Sequence, residues 1–154
     1  MRMRILTRSD APATESHRVR LLADENTSHR LVAACGRLIP RFPIVHIASW
    51  ERGAWLGFHD ALLLKSCAEH ELILVTFDRA TLPWHAGQVV REGDDHGGLV
   101  LFRRSVRVAD YGHQARLLTG FWSQDSSTWD WANRIVYLPE DSMTDGAFAV
   151  RSYG

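Results

Sequence analysis

The sequence predicts an α/β domain in which helices cover both faces of a mostly parallel sheet of about five strands. Two observations predict this class. Short apolar runs alternate along the chain with segments whose apolar residues recur at helical spacing, as strands alternate with helices in parallel sheets. The 154 residues carry a formal net charge of zero and are 45% hydrophobic and 23% charged, which is typical of one globular domain.

Each predicted strand is a short apolar run. The first, residues 19–23, ends at acidic residues and fits a strand that is buried on both faces. The second covers residues 44–48, and the third lies in "LILVTFD", which again ends at an acid, Asp78. The segments "GLVLF" and "RIVYL" predict the fourth and fifth strands.

Three helices are predicted between these strands. The segment "NTS" at residues 26–28 supplies N-cap residue types, and the helical spacing that follows it stops at Pro40. A second helix begins near Asp60, and a third runs through residues 108–122. The glycine- and aromatic-rich "WERGAWLGF" predicts a surface loop, and residues 79–97 predict a long irregular connection.

The first residues of the chain and its two cysteines indicate the cellular compartment. Residues 1–17 predict a flexible leader, because they are rich in Ala, Pro, Thr and Ser and contain no apolar run long enough for a signal peptide or a membrane span. Residues 18–154 are expected to form a single domain. Cys35 and Cys67 lie within apolar helical patterns and are interpreted as buried thiols in a reducing compartment. A cytoplasmic protein without membrane association is therefore expected.

Three aspartates occupy comparable positions in the predicted fold. Asp24 and Asp78 end the first and third strands, and Asp60 opens the second helix. Parallel sheets bind ligands beyond the carboxyl ends of their strands, so these acids could form one cluster. Clustered carboxylates repel unless a cation joins them, and Mg²⁺ or Mn²⁺ suits an oxygen site that activates water against a phosphodiester. Alternatively, each acid simply ends a strand or caps a helix.

Other chemistries find less support in the sequence. The eight histidines show no HExxH motif and no paired cysteine spacing for zinc, although His59 and His96 border other motifs. No P-loop, GxGxxG or GxSxG motif is present. A phosphoacceptor receiver domain also has acids after its first and third strands, but it needs a lysine near the end of a late strand. The only lysine, Lys65, lies in a helical pattern.

Aromatic residues and arginines offer a different kind of contact. Trp50, Trp55 and Trp84 could stack on bases or contact a partner protein, with ordinary packing as the alternative. Arginine supplies nearly all the positive charge, and its planar guanidinium suits phosphate. Because acids balance bases, a nucleic acid would have to be held by a local arginine cluster. Arg79 and Arg103 are the expected phosphate contacts.

Three segments resemble a known family. In order and spacing, "LLADENTSHRLV", "HDALLLKSCAEHELILVTFD" and "HGGLVLF" are similar to the DUF5615 family of PIN-like domains, over roughly residues 19–103. The family pattern is a strand ending in Asp-Glu-Asn, an Asp opening the second helix, and a strand ending in Thr-x-Asp. The resemblance implies a three-layer α/β/α PIN-like fold and a metal-dependent endoribonuclease that cleaves single-stranded RNA, often as the toxin of a toxin–antitoxin pair.

The resemblance also implies the metal site. Asp24, Asp60 and Asp78 would hold Mg²⁺ or Mn²⁺, and Glu25 would be an accessory catalytic acid. Many relatives have a second acid two residues after the Asp of Thr-x-Asp, where this chain has Ala80. That difference motivates the alternative hypothesis of a PIN-like binding module with weak or no catalytic activity.

Substrate and partners follow from the same resemblance. Asn26 and Thr76 would orient the site or contact the RNA. An antitoxin protein is an implied partner, and a homodimer is compatible with the sequence.

Overall fold

The computed structural model describes residues 18–140, in which strands and α-helices alternate. The strands are β1 (Leu21–Ala23), β2 (Ile44–His46), β3 (Ile73–Thr76), β4 (Leu99–Phe102) and β5 (Ile135–Leu138). The helices are α1 (His29–Leu38), α2 (Asp60–Glu69), α3 (Thr81–Arg91) and α4 (Tyr111–Trp122). The predicted leader, residues 1–17, and the last part of the predicted domain, residues 141–154, lie outside the described residues.

The sheet is parallel throughout, with strand order β2-β1-β3-β4-β5. Leu22 of β1 aligns with Val45 of β2 on one side and with Leu74 of the central strand β3 on the other. The predicted α/β class and the number of strands are therefore confirmed. In this doubly wound order the chain reverses direction across the sheet between β1 and β3, and ligands bind outside the carboxyl ends of the strands at that point.

The helices form a layer on each face of the sheet. One core packs Leu21, Val75 and their neighbours against apolar residues of α1 and α4. The other packs Leu22, Leu74 and their neighbours against α2 and α3. Every residue of β1, β3 and β4 is buried, because both faces of these strands are covered.

Both cysteines are buried free thiols, as expected, one in each layer of helices. Burial raises the pKa of Cys35 and of Cys67 to about 12. Neither thiol is therefore activated as a nucleophile.

The predicted irregular connection at residues 79–97 is wrong, because most of it is α3. Pro83 lies in the first turn of that helix, where a proline removes no intrahelical hydrogen bond. Leu82, Ala86 and Val89 recur at helical spacing and are buried against the sheet. The buried apolar face therefore forms a helix although the segment contains a proline and a glycine.

The aromatic loop after β2 is only partly a surface loop. Residues Trp50–Gly53 form a short 3₁₀ helix, and Trp55 is 7% exposed and lies in the second core. Its ring packs edge-on against Trp50 and His70. Ordinary packing therefore accounts for Trp55, whereas Trp84 on α3 is 58% exposed.

The helices of the described chain are all too short or too polar to cross a membrane.

Candidate acidic site at the carboxyl edge of the sheet

Asp24 lies at the point where the chain reverses across the sheet. Its backbone N–H donates to Val75 O at 3.1 Å and so continues the pairing of β1 with β3. This bond places the residue between the carboxyl ends of the two strands. The residue is only 4% exposed.

Neutral donors surround the carboxylate of Asp24. Its Oδ1 accepts from the Thr27 hydroxyl at 2.8 Å and from the Asn26 N–H at 3.2 Å, and its Oδ2 accepts from the Thr76 hydroxyl at 2.5 Å. Within residues 18–140 it forms no ion pair. Burial raises the pKa of Asp24, the three hydrogen bonds oppose that rise, and the charge of Asp78 adds to it.

Asp78 is linked to Asp24 through one hydroxyl group. The Thr76 hydroxyl that donates to Asp24 also accepts from the Asp78 N–H at 2.9 Å. The Asp78 carboxylate turns toward the start of α3, where Oδ1 accepts from the N–H groups of Ala80 at 3.1 Å and Thr81 at 2.8 Å. Oδ2 accepts from the Thr81 hydroxyl. Asp78 therefore caps a helix at the same time as it stands beside Asp24.

Asp78 is ionised more readily than an ordinary aspartate. Partial burial acts to raise the pKa of Asp78. The hydrogen bonds from Thr81 and from the backbone of the first turn together lower this pKa by more than burial raises it, so the net shift is downward. A helix N-terminus also favours negative charge. The site therefore combines one carboxylate with a raised pKa and one with a lowered pKa.

Asp60 contacts α3 rather than the other two acids. It opens α2, is half-exposed, and its Oδ2 lies 3.5 Å from Nε2 of His85. His59 caps the helix, because its Nδ1 accepts from the Leu62 N–H at 3.3 Å. No group of three His, Cys, Asp or Glu side chains in the described part of the chain is arranged to hold a metal ion. The assignment of Asp60 as a metal ligand stays a prediction.

Glu25 and Asn26 form the exposed rim of the site. Oε2 of Glu25 accepts from the Gly57 N–H at 2.7 Å and fastens the loop after β1 to the loop before α2. Gly57 has φ of +82°, a conformation that glycine adopts without strain. The contact with the Gly57 backbone holds the rim and involves only Oε2 of Glu25, so Oε1 has no part in that contact.

The two predicted phosphate contacts follow β3 and β4. Nη1 of Arg79 donates to Phe102 O at 2.9 Å, and Nε of Arg103 donates to Pro139 O at 2.6 Å. The Arg103 guanidinium also lies 5.4 Å from the ring centroid of Tyr137. Each guanidinium has five N–H donors, so these bonds hold the arginines at the carboxyl edge and leave donors for an anion.

The sequence did not single out His46 and Thr27 as parts of this site. His46 ends β2, is buried, and its Nε2 lies 2.7 Å from Thr27 O. Its Nδ1 accepts from the Ala48 N–H, so Nε2 carries the proton of a neutral ring. Burial lowers the pKa of His46, and its ring stacks on His29 with centroids 3.8 Å apart. A polar residue ending an apolar strand, as in "PIVHIAS", was the available signal.

The receiver-domain alternative lacks its lysine. Lys65 lies in α2, and its Nζ is 3.8 Å from Asp94, not at a strand end.

Comparisons with known proteins found no match to a protein-family model, to a curated protein or to a solved structure.

Proposed function

We propose that this protein is a Mg²⁺- or Mn²⁺-dependent endoribonuclease that hydrolyses single-stranded RNA at a site built around Asp24 and Asp78. One observation carries the proposal. Asp24 is a buried carboxylate between the carboxyl ends of β1 and β3, it has no ion pair within the described chain, and the charge of Asp78 acts on it. A bound cation would offset both the burial of this charge and the repulsion between the two acids.

The donor set fits a hard cation. Carboxylate oxygens suit Mg²⁺ and Mn²⁺, and Mg²⁺ commonly uses one or two protein carboxylates while it keeps several waters. Asp24 and Asp78 would hold the ion, with Asp60 as the third proposed ligand. When bound, such an ion activates a water molecule and stabilises the leaving oxygen of a phosphodiester.

The chain's own residues would position the substrate and the acids. Thr27 and Thr76 fix the Asp24 carboxylate through their hydroxyl groups. Arg79 and Arg103 would bind RNA phosphates through the guanidinium N–H groups that do not donate to backbone carbonyls.

The exposed rim would complete this arrangement. Glu25 would act as an accessory acid, because it is exposed and only one of its oxygens accepts the Gly57 N–H. Asn26 beside it would contact the substrate.

A second candidate function is an RNA-binding module with weak or no catalysis. The observation that favours it is the capping role of Asp78, since both oxygens of its carboxylate accept hydrogen bonds from the first turn of α3. Ala80 offers no further acid there. An antitoxin-type partner is part of either proposal, with the exposed ring of Trp84 as its contact. A homodimer is also compatible with both.

A cleavage assay separates the two candidates. The purified protein should cut a mixed pool of single-stranded RNA in Mn²⁺ or Mg²⁺ and stop when EDTA is added. Asp78→Asn should lower the cleavage rate by orders of magnitude, since removal of a metal-binding charge removes the activated water. Asp110→Asn is the matched control, because Asp110 caps α4 in a similar way by accepting from the His113 N–H.

Three results would contradict the proposed metal-dependent nuclease site. Cleavage that continued in EDTA would exclude the metal mechanism, and equal rates for both asparagine variants would move the site elsewhere. RNA that bound in a gel-shift assay but stayed intact would establish the binding module instead.

A further inference from the structure

A concave site lies at the opposite edge of the sheet from Asp24. It is a cleft of about 400 Å³ whose lining residues come just before or at the start of four strands. Arg20 precedes β1, Ile73 begins β3, Gly97 precedes β4, and Trp131 precedes β5. Clefts of this size hold small molecules. The two arginines, the histidine and the tryptophans that line it have no role in the acidic site.

Arg18 forms an ion pair with Glu71, which also lines the cleft, whereas Arg20 is incompletely paired. Nη1 of Arg20 reaches Ser127 O only at 3.5 Å, the limit of a hydrogen bond, and its Nε is buried without an acceptor. No carboxylate within residues 18–140 forms an ion pair with Arg20. Burial lowers the pKa of Arg20, and the neighbouring charge of Arg18 lowers it further. An anion in the cleft would supply the missing countercharge.

His96 adds an N–H donor to the same cleft. The residue is 2% exposed, and its Nδ1 accepts from the Gly98 N–H at 3.0 Å. A ring whose Nδ1 is an acceptor carries its proton on Nε2, and this donor has no partner among the described residues. His96 and Gly97 belong to the "HGG" segment, which the acidic site does not use.

The backbone around His96 is held rigidly. The His96 N–H donates to the side-chain oxygen of Asn133 at 3.0 Å, and the Asn133 N–H donates back to His96 O at 3.0 Å. Gly97 is required here, because a Cβ would lie 2.3 Å from Leu72 O. The donor is therefore fixed in place before any ligand arrives.

Aromatic and acidic groups complete the cleft. The half-buried ring of Trp129 and the buried ring of Trp131 lie 5.5 Å apart on one side. Asp95 and Asp130 line it as well, and Asn133 orients Asp95 by donating to its Oδ1 at 2.8 Å. The cleft therefore offers cationic donors, an aromatic surface and exposed carboxylate acceptors together.

We propose that this cleft binds a nucleoside 5′-monophosphate unit. Arg20 and His96 bind the phosphate beside the Arg18–Glu71 ion pair, the tryptophan side contacts the base, and Asp95 or Asp130 accepts from a base amino group. A phosphate suits a guanidinium beside a histidine N–H donor, and a base suits an aromatic surface. The site is separate from the proposed nuclease site and does not depend on it.

Calorimetric titration of the full chain with AMP tests the proposal, with quenching of tryptophan fluorescence as a second readout. AMP should bind saturably, and adenosine and inorganic phosphate should each bind much more weakly.

Arg20→Gln should weaken AMP binding by about tenfold or more, since it removes a charge-assisted hydrogen bond to the phosphate. Asp95→Ala and Asp130→Ala remove the two exposed candidate acceptors one at a time, and at least one of them should also weaken AMP binding. Arg91→Gln removes a charge outside the cleft and should bind like the wild type.

Two outcomes would overturn the proposal. One is the absence of saturable AMP binding by the folded wild type, and the other is inorganic phosphate binding as tightly as AMP. A 5′-phosphorylated tetraribonucleotide distinguishes the two sources of the ligand. If it displaces AMP, the site binds an RNA end, and if it does not, the site binds the free nucleotide.

Discussion

At the scale of single residues, Asp24 lies in surroundings that favour its neutral form. Burial raises its pKa, while the hydroxyl groups of Thr27 and Thr76 stabilise its charge only in part. At neutral pH the unfolded chain carries this charge more easily than the folded one. The ionised carboxylate therefore costs folding free energy, as charges at functional sites often do.

Asp24→Asn should consequently raise the melting temperature of the metal-free protein. A gain of about 1 kcal/mol corresponds to a rise of roughly 3 °C for a chain of this length. Mn²⁺ at tenfold excess over its dissociation constant should stabilise the wild type by about 1.4 kcal/mol through binding to the native state. The variant should lose most of that gain. Thermal melts of both proteins with and without Mn²⁺ measure it, and equal metal responses would remove Asp24 from the ligand set.

His96 makes stability depend on pH. Burial lowers the pKa of His96 below the ordinary histidine value of 6.5, so the folded protein keeps a neutral ring where the unfolded chain binds a proton. Stability is therefore complete above pH 6.5 and falls as the pH drops toward the folded pKa, by at most about 1.4 kcal/mol per pH unit for each such histidine. His96→Asn should show a smaller loss between pH 7.5 and 5.5 in urea titrations. An identical loss in both proteins would contradict this account.

At the scale of elements, α3 shows where sequence patterns mislead and why. Residues 79–97 were predicted to be irregular, yet the buried face of Leu82, Ala86 and Val89 and the cap from Asp78 form a helix there. The buried strands were located closely, because continuous apolar runs are required when both faces are covered. The partners of each acid could not be predicted, since Asp24 meets Thr76 and Asp60 meets His85 only after distant segments pack.

The cap on α3 can be tested apart from catalysis. Asp78→Ala should lower the free energy of unfolding by about 1 kcal/mol, since it leaves the first N–H groups of α3 unpaired. Asp110→Ala should cost a similar amount at α4. Asparagine also caps helices well, so Asp78→Asn should stay close to the wild type in stability. Urea denaturation of the three variants checks this, and a large loss for Asp78→Asn would show that its charge has a structural role.

At the scale of the whole molecule, close packing between layers limits which residues fit at the junctions. Gly97 lies beside the backbone of Leu72 and Cys67, where the chain passes from α2 to β3. Gly120 lies in α4 with nothing within 4 Å of where its Cβ would be. A Cβ would therefore clash with the backbone at Gly97, whereas at Gly120 there is room for one.

Alanine substitutions should separate them. Gly97→Ala should destabilise the protein by about 2 kcal/mol or more, because the new methyl group would force the backbone apart. Gly120→Ala should stabilise it by roughly 0.5–1 kcal/mol, because alanine is the better helix former. Melting temperatures of the two variants give the comparison. A neutral Gly97→Ala would mean that the junction is looser than its distances indicate.

The strand order also determines when the acidic site can form during synthesis. β1 is flanked by β2, which follows soon after it, and by β3, whose Thr76 lies 52 positions beyond Asp24. A nascent chain that ends before β3 has an unpaired edge on β1, and such edges pair readily with other chains. Closing β1 onto β3 is also a long-range step of the kind that slows folding. The same event therefore covers the exposed strand edge and completes the surroundings of Asp24, so a chain that has not yet folded has no assembled acidic site.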